Sequence, residues 1–262
     1  MVERAPASRS HVVRLDRYPV KGFGPQTLDR LTVREGRVVG DRVLGFRYAD
    51  AEETGEGWGT KRQMVVLMNT PSIARLTVHT DGDRIRLLRG DELIADEPLD
   101  AAGRQRVAAL LADQPEVDLP ADSPHRPLRV VGDGRTPQLQ DREPGYVTLH
   151  SRASIEAFAE ATGGEVDQVR FRSNVIIDGV EPLAELGWAG RQIAIGGMRF
   201  RVHQPLVRCL ATHANPSTGE RDLNVLRTLT RGLDLPEPIF GVSLVALADG
   251  ELTLGDDVTL ID

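Results

Sequence analysis

Apolar and polar residues alternate along most of the chain, and this period of two predicts β-strands separated by tight turns. A first strand is predicted over HVVRLDRYPV and ends at Pro19, before the Gly/Pro-rich turn KGFGPQ. Gly36 and Gly40 divide the next alternating stretch into two strands. Further strands are predicted in RQMVVLMN, DGDRIRLLRGDELIADEPL, LRVVGD, GYVTLH, NVIIDGV, RQIAIGG, MRFRVHQP and IFGVSLVALADGELTLGDDVTLID.

Helical spacing replaces this alternation in a few segments. Thr70 followed by Pro71 predicts a short helix that runs to about Val78. In DAAGRQRVAALLAD, Val107 and Leu111 fall on one face of a helix. Two more helices are predicted in SRASIEAFAEATGG, which the glycine pair ends, and in ERDLNVLRTLTRG.

The predicted fold class is mainly β with attached helices (α+β). Strands and helices do not alternate regularly, so a doubly wound parallel sheet is not expected. Barrel-like sheets fit the pattern better. The polar residues 1–10 are predicted to be disordered, and the acidic, proline-rich residues 113–127 are the best candidate for a linker or long loop.

Charge and composition exclude several classes of protein. The formal net charge is -7, whereas a general nucleic-acid binder needs a basic surface, so no nucleic-acid partner is expected. A local basic pocket remains compatible with this balance. The N-terminus lacks the apolar region of a secretory signal, and no run approaches the roughly 20 apolar residues that cross a bilayer. A soluble, cytoplasmic protein with no membrane partner is therefore expected.

The single cysteine, Cys209, is the first candidate for chemistry. It excludes an intramolecular disulfide and a zinc site built on several cysteines. Arg208 precedes it, and a neighbouring cation favours the thiolate, which binds metals and attacks electrophiles. A buried structural cysteine explains this segment equally well. A zinc site that also uses His203 and His213 is conceivable, although neither gap is a usual zinc-finger spacing.

Basic residues at strand ends and turns are the second candidate. If the fold brings them together, they form a pocket for a phosphate or another anion, and otherwise they are solvated surface charges. Sequence spacing does not decide between these alternatives. The chain has no standard nucleotide-binding loop, no H-E-x-x-H and no G-x-S-x-G. The basic candidates are Lys21, Arg42, Arg170, Arg172 and Arg208.

Together these segments resemble a known family. RFRSNVIIDG, followed by IAIGGMRFRVHQPLVRCLATHANPSTGERD and FGVSLVALADGELTLGDDV, resembles the MOSC domain, the C-terminal domain of molybdenum cofactor sulfurases. VVRLDRYPVKG, GDRVLGFRYAD and TKRQMVVL resemble the β-barrel domain that precedes MOSC in the mitochondrial amidoxime-reducing component and its bacterial relatives. The resemblance implies an N-terminal β-barrel-type domain over residues 11–127 and a MOSC β-barrel domain over residues 128–262.

The resemblance also implies a cofactor and its site. Proteins of this kind bind a molybdenum cofactor, a pyranopterin that chelates molybdenum through its dithiolene, and a cysteine supplies the protein ligand. The matching metal ligand and catalytic residue here is Cys209. The positions that match cofactor-binding residues, with the neighbour of the ligand, are Lys21, Arg42, Arg172, Asn174 and Arg208.

Two positions depart from the family pattern. Gly22 stands where serine often follows the lysine, and Ser173 stands where proline often separates arginine from asparagine. Neither change removes a proposed ligand. A chain with one cysteine also lacks the roughly four needed for an iron–sulfur cluster. Electrons are therefore expected from separate electron-transfer proteins.

The leading functional hypothesis is a molybdenum-dependent oxidoreductase that reduces N-hydroxylated small molecules, N–OH to N–H, with water as the by-product. A sulfur carrier that uses a persulfide on Cys209 in metal-cofactor assembly is the alternative. A non-catalytic cofactor-storage protein is the third possibility. His150, Thr60 and Arg62 are candidates to line the substrate side.

Overall fold

The computed structural model of the chain describes residues 9–51, 61–141 and 146–261. Strands dominate these ranges, so the predicted mainly β class is confirmed. The strands, in chain order, are β1 (His11–Arg17), β2 (Gln26–Leu28), β3 (Arg30–Arg34), β4 (Arg37–Val38), β5 (Gly45–Arg47), β6 (Leu76–Asp81), β7 (Arg84–Arg89), β8 (Glu92–Pro98), β9 (Arg129–Val131), β10 (Val147–Ser151), β11 (Val175–Asp178), β12 (Gln192–Ile195), β13 (Met198–Val207), β14 (Ile239–Ala246), β15 (Gly250–Thr253) and β16 (Val258–Ile261).

Helical structure is confined to short elements. The α-helices of the described ranges are α1 (Ala101–Ala112), α2 (Arg152–Thr162) and α3 (Val225–Arg227), and a π turn (Thr228–Gly232) continues α3. The 3-10 helices are Lys61–Gln63, Pro71–Arg75, Gln168–Phe171, Ala184–Trp188 and Leu210–His213. Among the described residues, no helix is both long enough and apolar enough to cross a membrane.

The largest sheet joins strands from both ends of the chain. Its order is β16-β12-β13-β14-β10-β11-β1-β2, and its pairs are antiparallel except β10 with β11. In β13, buried Met198, Phe200 and Val202 alternate with exposed arginines, as the period-two pattern predicts. Because β1 and β2 hydrogen-bond into the sheet that contains β10 to β14, the two sides of the predicted linker share one sheet. The predicted domain boundaries themselves stay a prediction.

The predicted closed barrels are not what the described strands form. The sheet curls until the start of β1 reaches the residues before β16, where His11 and Asp257 form one isolated bridge. The Val12 N–H donates to the Asp256 carbonyl at 2.9 Å. Two more backbone hydrogen bonds join the same edges, from the Gly255 N–H to the Val12 carbonyl at 2.9 Å and from the Val258 N–H to the Ser10 carbonyl at 2.7 Å. Among the described strands, however, no continuous ladder between β1 and β16 closes the sheet.

A second core lies under the small sheet β6-β7-β8. Helix α1 covers this sheet and buries Val107, Ala108 and Leu111 against it. Asp100 caps the helix by accepting a hydrogen bond from the Gly103 N–H at 2.7 Å. A Cβ at Gly103 would stand 2.0 Å from a carbonyl oxygen of β8, so only glycine permits this close approach.

Three local predictions met different outcomes. The helix predicted from Thr70 to about Val78 is wrong beyond Arg75, because β6 begins at Leu76 and pairs with β7. The last helix begins only at Val225, where Asn224 caps it. Residues 113–127 contain no strand or helix, as a loop requires. This loop is nevertheless anchored, because the buried Glu116 carboxylate accepts two hydrogen bonds from Arg89, both at 2.9 Å.

Leu15→Ala tests how strongly β1 secures the fold. Leu15 is fully buried in the core of the large sheet, so its truncation leaves a cavity and should cost about 2–5 kcal/mol of the free energy of unfolding. Urea denaturation measures this cost. The control is Leu254→Ala, since Leu254 is 45% exposed and its truncation should change little. Equal losses in the two variants would contradict the assignment of β1 to the core.

Candidate functional site

A cavity of about 410 Å³ lies where the end of β13 meets the turns that follow β1 and precede β10. Residues from widely separated parts of the sequence form its wall, so the fold produces the convergence that sequence spacing could not establish. All five basic candidates from the sequence line it together with Cys209, namely Lys21, Arg42, Arg170, Arg172 and Arg208. Lys61, which was not predicted, lines it as well.

Cys209 lies just beyond the end of β13. It is half-buried, and its backbone is extended at the start of the 3-10 helix Leu210–His213. Its carbonyl accepts hydrogen bonds from the N–H of Thr212 at 3.0 Å and from the Thr212 hydroxyl at 2.9 Å. These bonds fix the backbone, and the thiol lines the cavity. The Lys61 ammonium donates a hydrogen bond to Sγ, with its Nζ 3.7 Å away.

Arg208 locks the segment that carries the cysteine. Its Nε donates to the Phe240 carbonyl at 2.8 Å, and another guanidinium nitrogen donates to the Phe171 carbonyl at 2.8 Å. Burial lowers the pKa of Arg208 to about 10, which still leaves it charged at neutral pH. Arg208 therefore supplies positive charge while it ties the loop before Cys209 to β14.

Arg42 and Arg172 bring two buried guanidiniums onto one aromatic ring. Their carbon centres lie 4.8 Å and 4.3 Å from the centroid of the fully buried Tyr18 ring. Arg42 is paired with Asp41 and also donates to the Arg172 carbonyl at 3.2 Å. Arg172 donates to the Phe23 carbonyl at 2.6 Å. Burial and the charge of Arg42 lower the pKa of Arg172 to about 10.

Asn174 is placed behind the cavity, and it does not line the wall. Its amide donates to the Asp16 carbonyl at 3.1 Å and to the Asp41 carboxylate at 3.2 Å. Its own oxygen accepts from the Thr148 hydroxyl at 2.9 Å. Asn174 thus links β1 to β10 and holds Asp41, which in turn holds Arg42. The structure places it one step from the site, as a positioning residue.

A carboxylate joins two lysines at the cavity. Asp141 accepts from Lys21 Nζ at 2.9 Å and from Lys61 Nζ at 2.6 Å. Lys21 also donates to the Leu139 carbonyl at 2.7 Å. Burial lowers the pKa of Lys21. For Lys61, burial acts downward, but Asp141 and the Cys209 thiol outweigh it and raise its pKa.

Sequence reasoning missed Lys61 and Asp141. One signal was present in the composition, because Lys21 and Lys61 are the two lysines of the whole sequence and its other strongly basic residues are arginines. Lysine and arginine are not equivalent, since lysine offers a compact ammonium on a flexible stem. Both lysines pair with the Asp141 carboxylate, and Lys61 also contacts Cys209. The site therefore uses ammonium groups, rather than guanidiniums, at these two positions.

The wall carries an excess of positive charge. Six basic side chains among its described residues face one lining carboxylate, that of Asp141. Arg170 is neutralised locally, because it pairs with Asp222 at 2.6 and 2.8 Å and donates to the His213 carbonyl at 3.0 Å. The remaining cations are only partly compensated. Such an array suits an anionic ligand, which arginine binds through a fork and lysine through a point charge.

The candidate histidines do not assemble a metal site. His203 lines the cavity with its ring 4.9 Å from that of Tyr146, whereas His213 accepts a 3.4 Å hydrogen bond from the Leu226 N–H. In the part of the chain that the structure describes, no three His, Cys, Asp or Glu residues cluster to hold a metal. The zinc alternative therefore gains no support there.

Two of the candidates for the substrate side, His150 and Arg62, do not line the cavity. His150 is buried and packs against the rings of Phe171 and Phe240. Arg62 is exposed and lies outside the wall. Thr60 lies outside the described residues. His150 therefore belongs to the apolar support beneath Arg208.

The acid sensitivity of the fold tests the burial of His150. Burial, helped by the charge of Arg208, lowers the pKa of His150 to about 3, whereas the pKa of a histidine in an unfolded chain is about 6.5. The unfolded state therefore binds more protons between these values, so stability is lost as pH falls below about 6.5. His150→Leu should remove up to about 1.4 kcal/mol per pH unit from the wild-type slope between pH 6 and 4.

Urea denaturation of wild type and His150→Leu at a series of pH values measures both slopes. The difference between the two proteins should be constant from pH 7.5 to 8.5, where neither state protonates this histidine. Identical slopes in the acid range would show that His150 is not held neutral by burial.

Comparison with known proteins shows that part of this chain is similar to one protein family. The family model described as "MOSC domain" matches residues 141–259, a little less than half of the chain. The resemblance to the MOSC domain predicted from the sequence is confirmed over this range. The match begins at Asp141 and includes Arg172, Arg208 and Cys209.

Curated relatives match about a third of the chain. A molybdenum cofactor sulfurase of Anopheles gambiae is 41% identical over 93 residues, which cover 34% of this chain and 12% of that protein. Molybdenum cofactor sulfurase 2 of Culex quinquefasciatus is 34% identical over 93 residues, or 36% and 11% of the two chains. The chain thus spans about an eighth of the length of these relatives.

Solved structures give weaker similarities. The YuaD protein from Bacillus subtilis aligns with a TM-score of 0.45 and 10% identity, over 96% of this chain and 94% of that chain. YiiM from Geobacillus stearothermophilus aligns with a TM-score of 0.31 and 15% identity, over 44% and 54% of the two chains.

Proposed function

We propose that this chain, whose residues 141–259 match the MOSC domain, binds a molybdenum pyranopterin cofactor with Cys209 as the protein ligand of the metal. The observation that carries the proposal is that one cavity of about 410 Å³ contains the thiol together with Lys21, Arg42, Arg172 and Arg208. A thiolate suits a high-valent metal that is already bound by sulfur. The names of the curated relatives support the same cofactor.

The residues present fit such a group. The cavity volume falls in the range of about 300–1,000 Å³ that is usual for small-molecule and cofactor sites. Arg42 and Arg172 meet as partly buried like charges on the Tyr18 ring, an arrangement that an anionic phosphate would stabilise. Because the described residues offer no cluster of three protein ligands, a metal here needs its other ligands from a cofactor.

Each side chain then has a separate task. Lys21 and Arg172 would hold the anionic part of the cofactor. Arg208 orients the loop that presents Cys209, and Asn174 acts through Asp41 to keep Arg42 in place. Apolar side chains of the wall, among them Val66 and Leu206, limit the access of water. When bound, the cofactor would supply two-electron chemistry at the metal.

We propose further that the reaction is the reduction of an N-hydroxylated small molecule. The substrate takes up two electrons and two protons, the N–O bond breaks, and an N–H product and water leave. Separate electron-transfer proteins would provide the electrons, because one cysteine is too few for an iron–sulfur cluster.

A sulfur carrier is the second candidate function. The thiol of Cys209 is half-buried rather than fully enclosed, and the Lys61 ammonium, 3.7 Å away, can hydrogen-bond its sulfur, so the sulfur is both held and within reach of a partner molecule. The relatives named as sulfurases favour this candidate equally. In this role Cys209 would hold a persulfide and hand its outer sulfur to a metal-cofactor assembly step.

Metal and pterin analysis of protein made in a host that synthesises the cofactor tests the proposal. The wild type should contain close to one molybdenum and one pterin per chain. Cys209→Ala should lose most of both, and Arg172→Met should lose a large share because the anion contact is removed. The matched control is Arg106→Met, since Arg106 is an exposed arginine of α1 whose surface ion pair contributes little.

Each contrary result has its own meaning. Absence of molybdenum together with a labile sulfur on Cys209 would replace the reductase by the sulfur carrier. Molybdenum without reduction of any hydroxylamine or amidoxime by a chemical electron donor would leave cofactor binding without turnover. Equal metal content in wild type and Cys209→Ala would refute the ligand assignment.

A further inference from the structure

The positive charges of the cavity differ in their access to solvent. The side chains of Lys21 and Arg42 are 6% and 14% exposed, so they belong to the interior of the wall. Lys61 is 31% exposed and its Nζ lies 3.7 Å from the Cys209 sulfur. Of the two lysines in the wall, Lys61 is therefore the more exposed one, and its ammonium is the one that contacts the thiol.

This ammonium already holds an anion that the chain itself supplies. The Asp141 carboxylate lies 2.6 Å from Lys61 and 2.9 Å from Lys21, and its side chain is 50% exposed. Half-exposed ion pairs are weak, because water screens them and competes for both partners. Because Lys21 also holds Asp141, this carboxylate can release Lys61 to a carboxylate brought by a ligand and still keep a cationic partner.

Apolar side chains flank the same position. Met68, Leu206 and Val207 line the cavity with Cys209. Val207 and Leu210, on either side of the Arg208–Cys209 pair, are 49% and 45% exposed. Large apolar side chains exposed together beside a cationic group favour a ligand that has an apolar body and an acidic end.

We propose that Lys61 is the anion-recognising residue on the substrate side of Cys209, and that the substrate is a small organic anion with an apolar body whose acidic group displaces Asp141 from Lys61. This inference rests on the proposed function only in naming the bound molecule a substrate. The preference for anions is a property of the chain itself and is measurable without cofactor.

The charge preference is read from two alkylating reagents that differ in charge. Iodoacetate is anionic and iodoacetamide is neutral, and both alkylate the thiolate of Cys209, the chain's single thiol. The ratio of their rate constants, normalised to that of glutathione, cancels any change in the fraction of thiolate. It therefore reports the local charge that a small ligand meets. The full-length chain, produced in a strain unable to make the cofactor, is the sample.

Substitutions of Lys61 and Asp141 should shift this ratio of rate constants in opposite directions. Lys61→Met should lower the iodoacetate preference roughly threefold, the effect of one unit charge on another across several Å of water-like medium. Asp141→Asn should raise it by a similar factor, because it removes the competing carboxylate and keeps the side-chain volume. Unfolding would bring the ratio to that of a free thiol, so a misfolded variant cannot imitate the rise in Asp141→Asn.

Arg62→Met is the matched control. It removes one positive charge from the neighbouring residue of the same 3-10 helix, but Arg62 does not line the cavity. Its ratio should stay near that of the wild type. An equal fall in Arg62→Met and Lys61→Met would overturn the proposal, since net charge alone would then explain the effect. A ratio that does not rise in Asp141→Asn would overturn the competition between Asp141 and the ligand.

The proposed preference for a ligand with an apolar body and an acidic end is tested by whether such a ligand protects Cys209 from alkylation. Sodium benzoate at millimolar concentration should slow the alkylation of wild-type Cys209 by neutral iodoacetamide at least twofold, and benzamide should not. The protection should disappear in Lys61→Met and strengthen in Asp141→Asn. Equal protection by benzoate and benzamide, or protection that survives in Lys61→Met, would overturn the role of Lys61. The metal analysis proposed above is independent of either result.

Discussion

Positive charge gathered around one cavity, whose described lining holds six basic side chains and one carboxylate, is the constraint on which the rest of this structure depends. Buried cations are costly unless hydrogen bonds and counter-charges replace the lost water. In this structure, main-chain carbonyls accept hydrogen bonds from the buried arginines and replace part of the lost water. Arg208 is held by the carbonyls of Phe171 and Phe240, and Arg172 by that of Phe23. The compensation remains incomplete on the side that faces the cavity, which is where an anionic cofactor would complete it.

The same hydrogen bonds join distant parts of the chain. Arg172 reaches the turn after β1, and Asn174 reaches both β1 and Asp41. Residues of the site and its support therefore also tie β1 and the turn after it to β10 and β11, which lie beside β1 in the large sheet. The same arrangement fixes the backbone of Cys209, because Arg208 before it is bonded to β14 and Thr212 after it donates to the Cys209 carbonyl. The thiol is thus presented by a rigid frame, as a metal ligand requires.

Part of this could be predicted from the sequence. The alternation in β13 is local, so it identified the strand and its buried face correctly, and the motifs around Arg208 and Cys209 marked the site. Convergence is a tertiary property, so spacing alone could not place Asp141 between Lys21 and Lys61 or set Asn174 behind the wall. Strand pairing overrode the helix predicted up to Val78. The approach of β1 to the residues before β16 is also a tertiary contact, made by the bridge at His11 and a few backbone hydrogen bonds, and no local pattern encodes it.

X-ray absorption at the molybdenum edge tests the central claim most directly. The spectra to compare are those of wild type and Cys209→Ser, both produced with cofactor. If Cys209 is the protein ligand, the serine variant should show one sulfur neighbour fewer around the metal, while the sulfurs contributed by the pterin remain. The same number of sulfur neighbours in both proteins would contradict the account, because the metal would then be held in this cavity without the thiolate of Cys209.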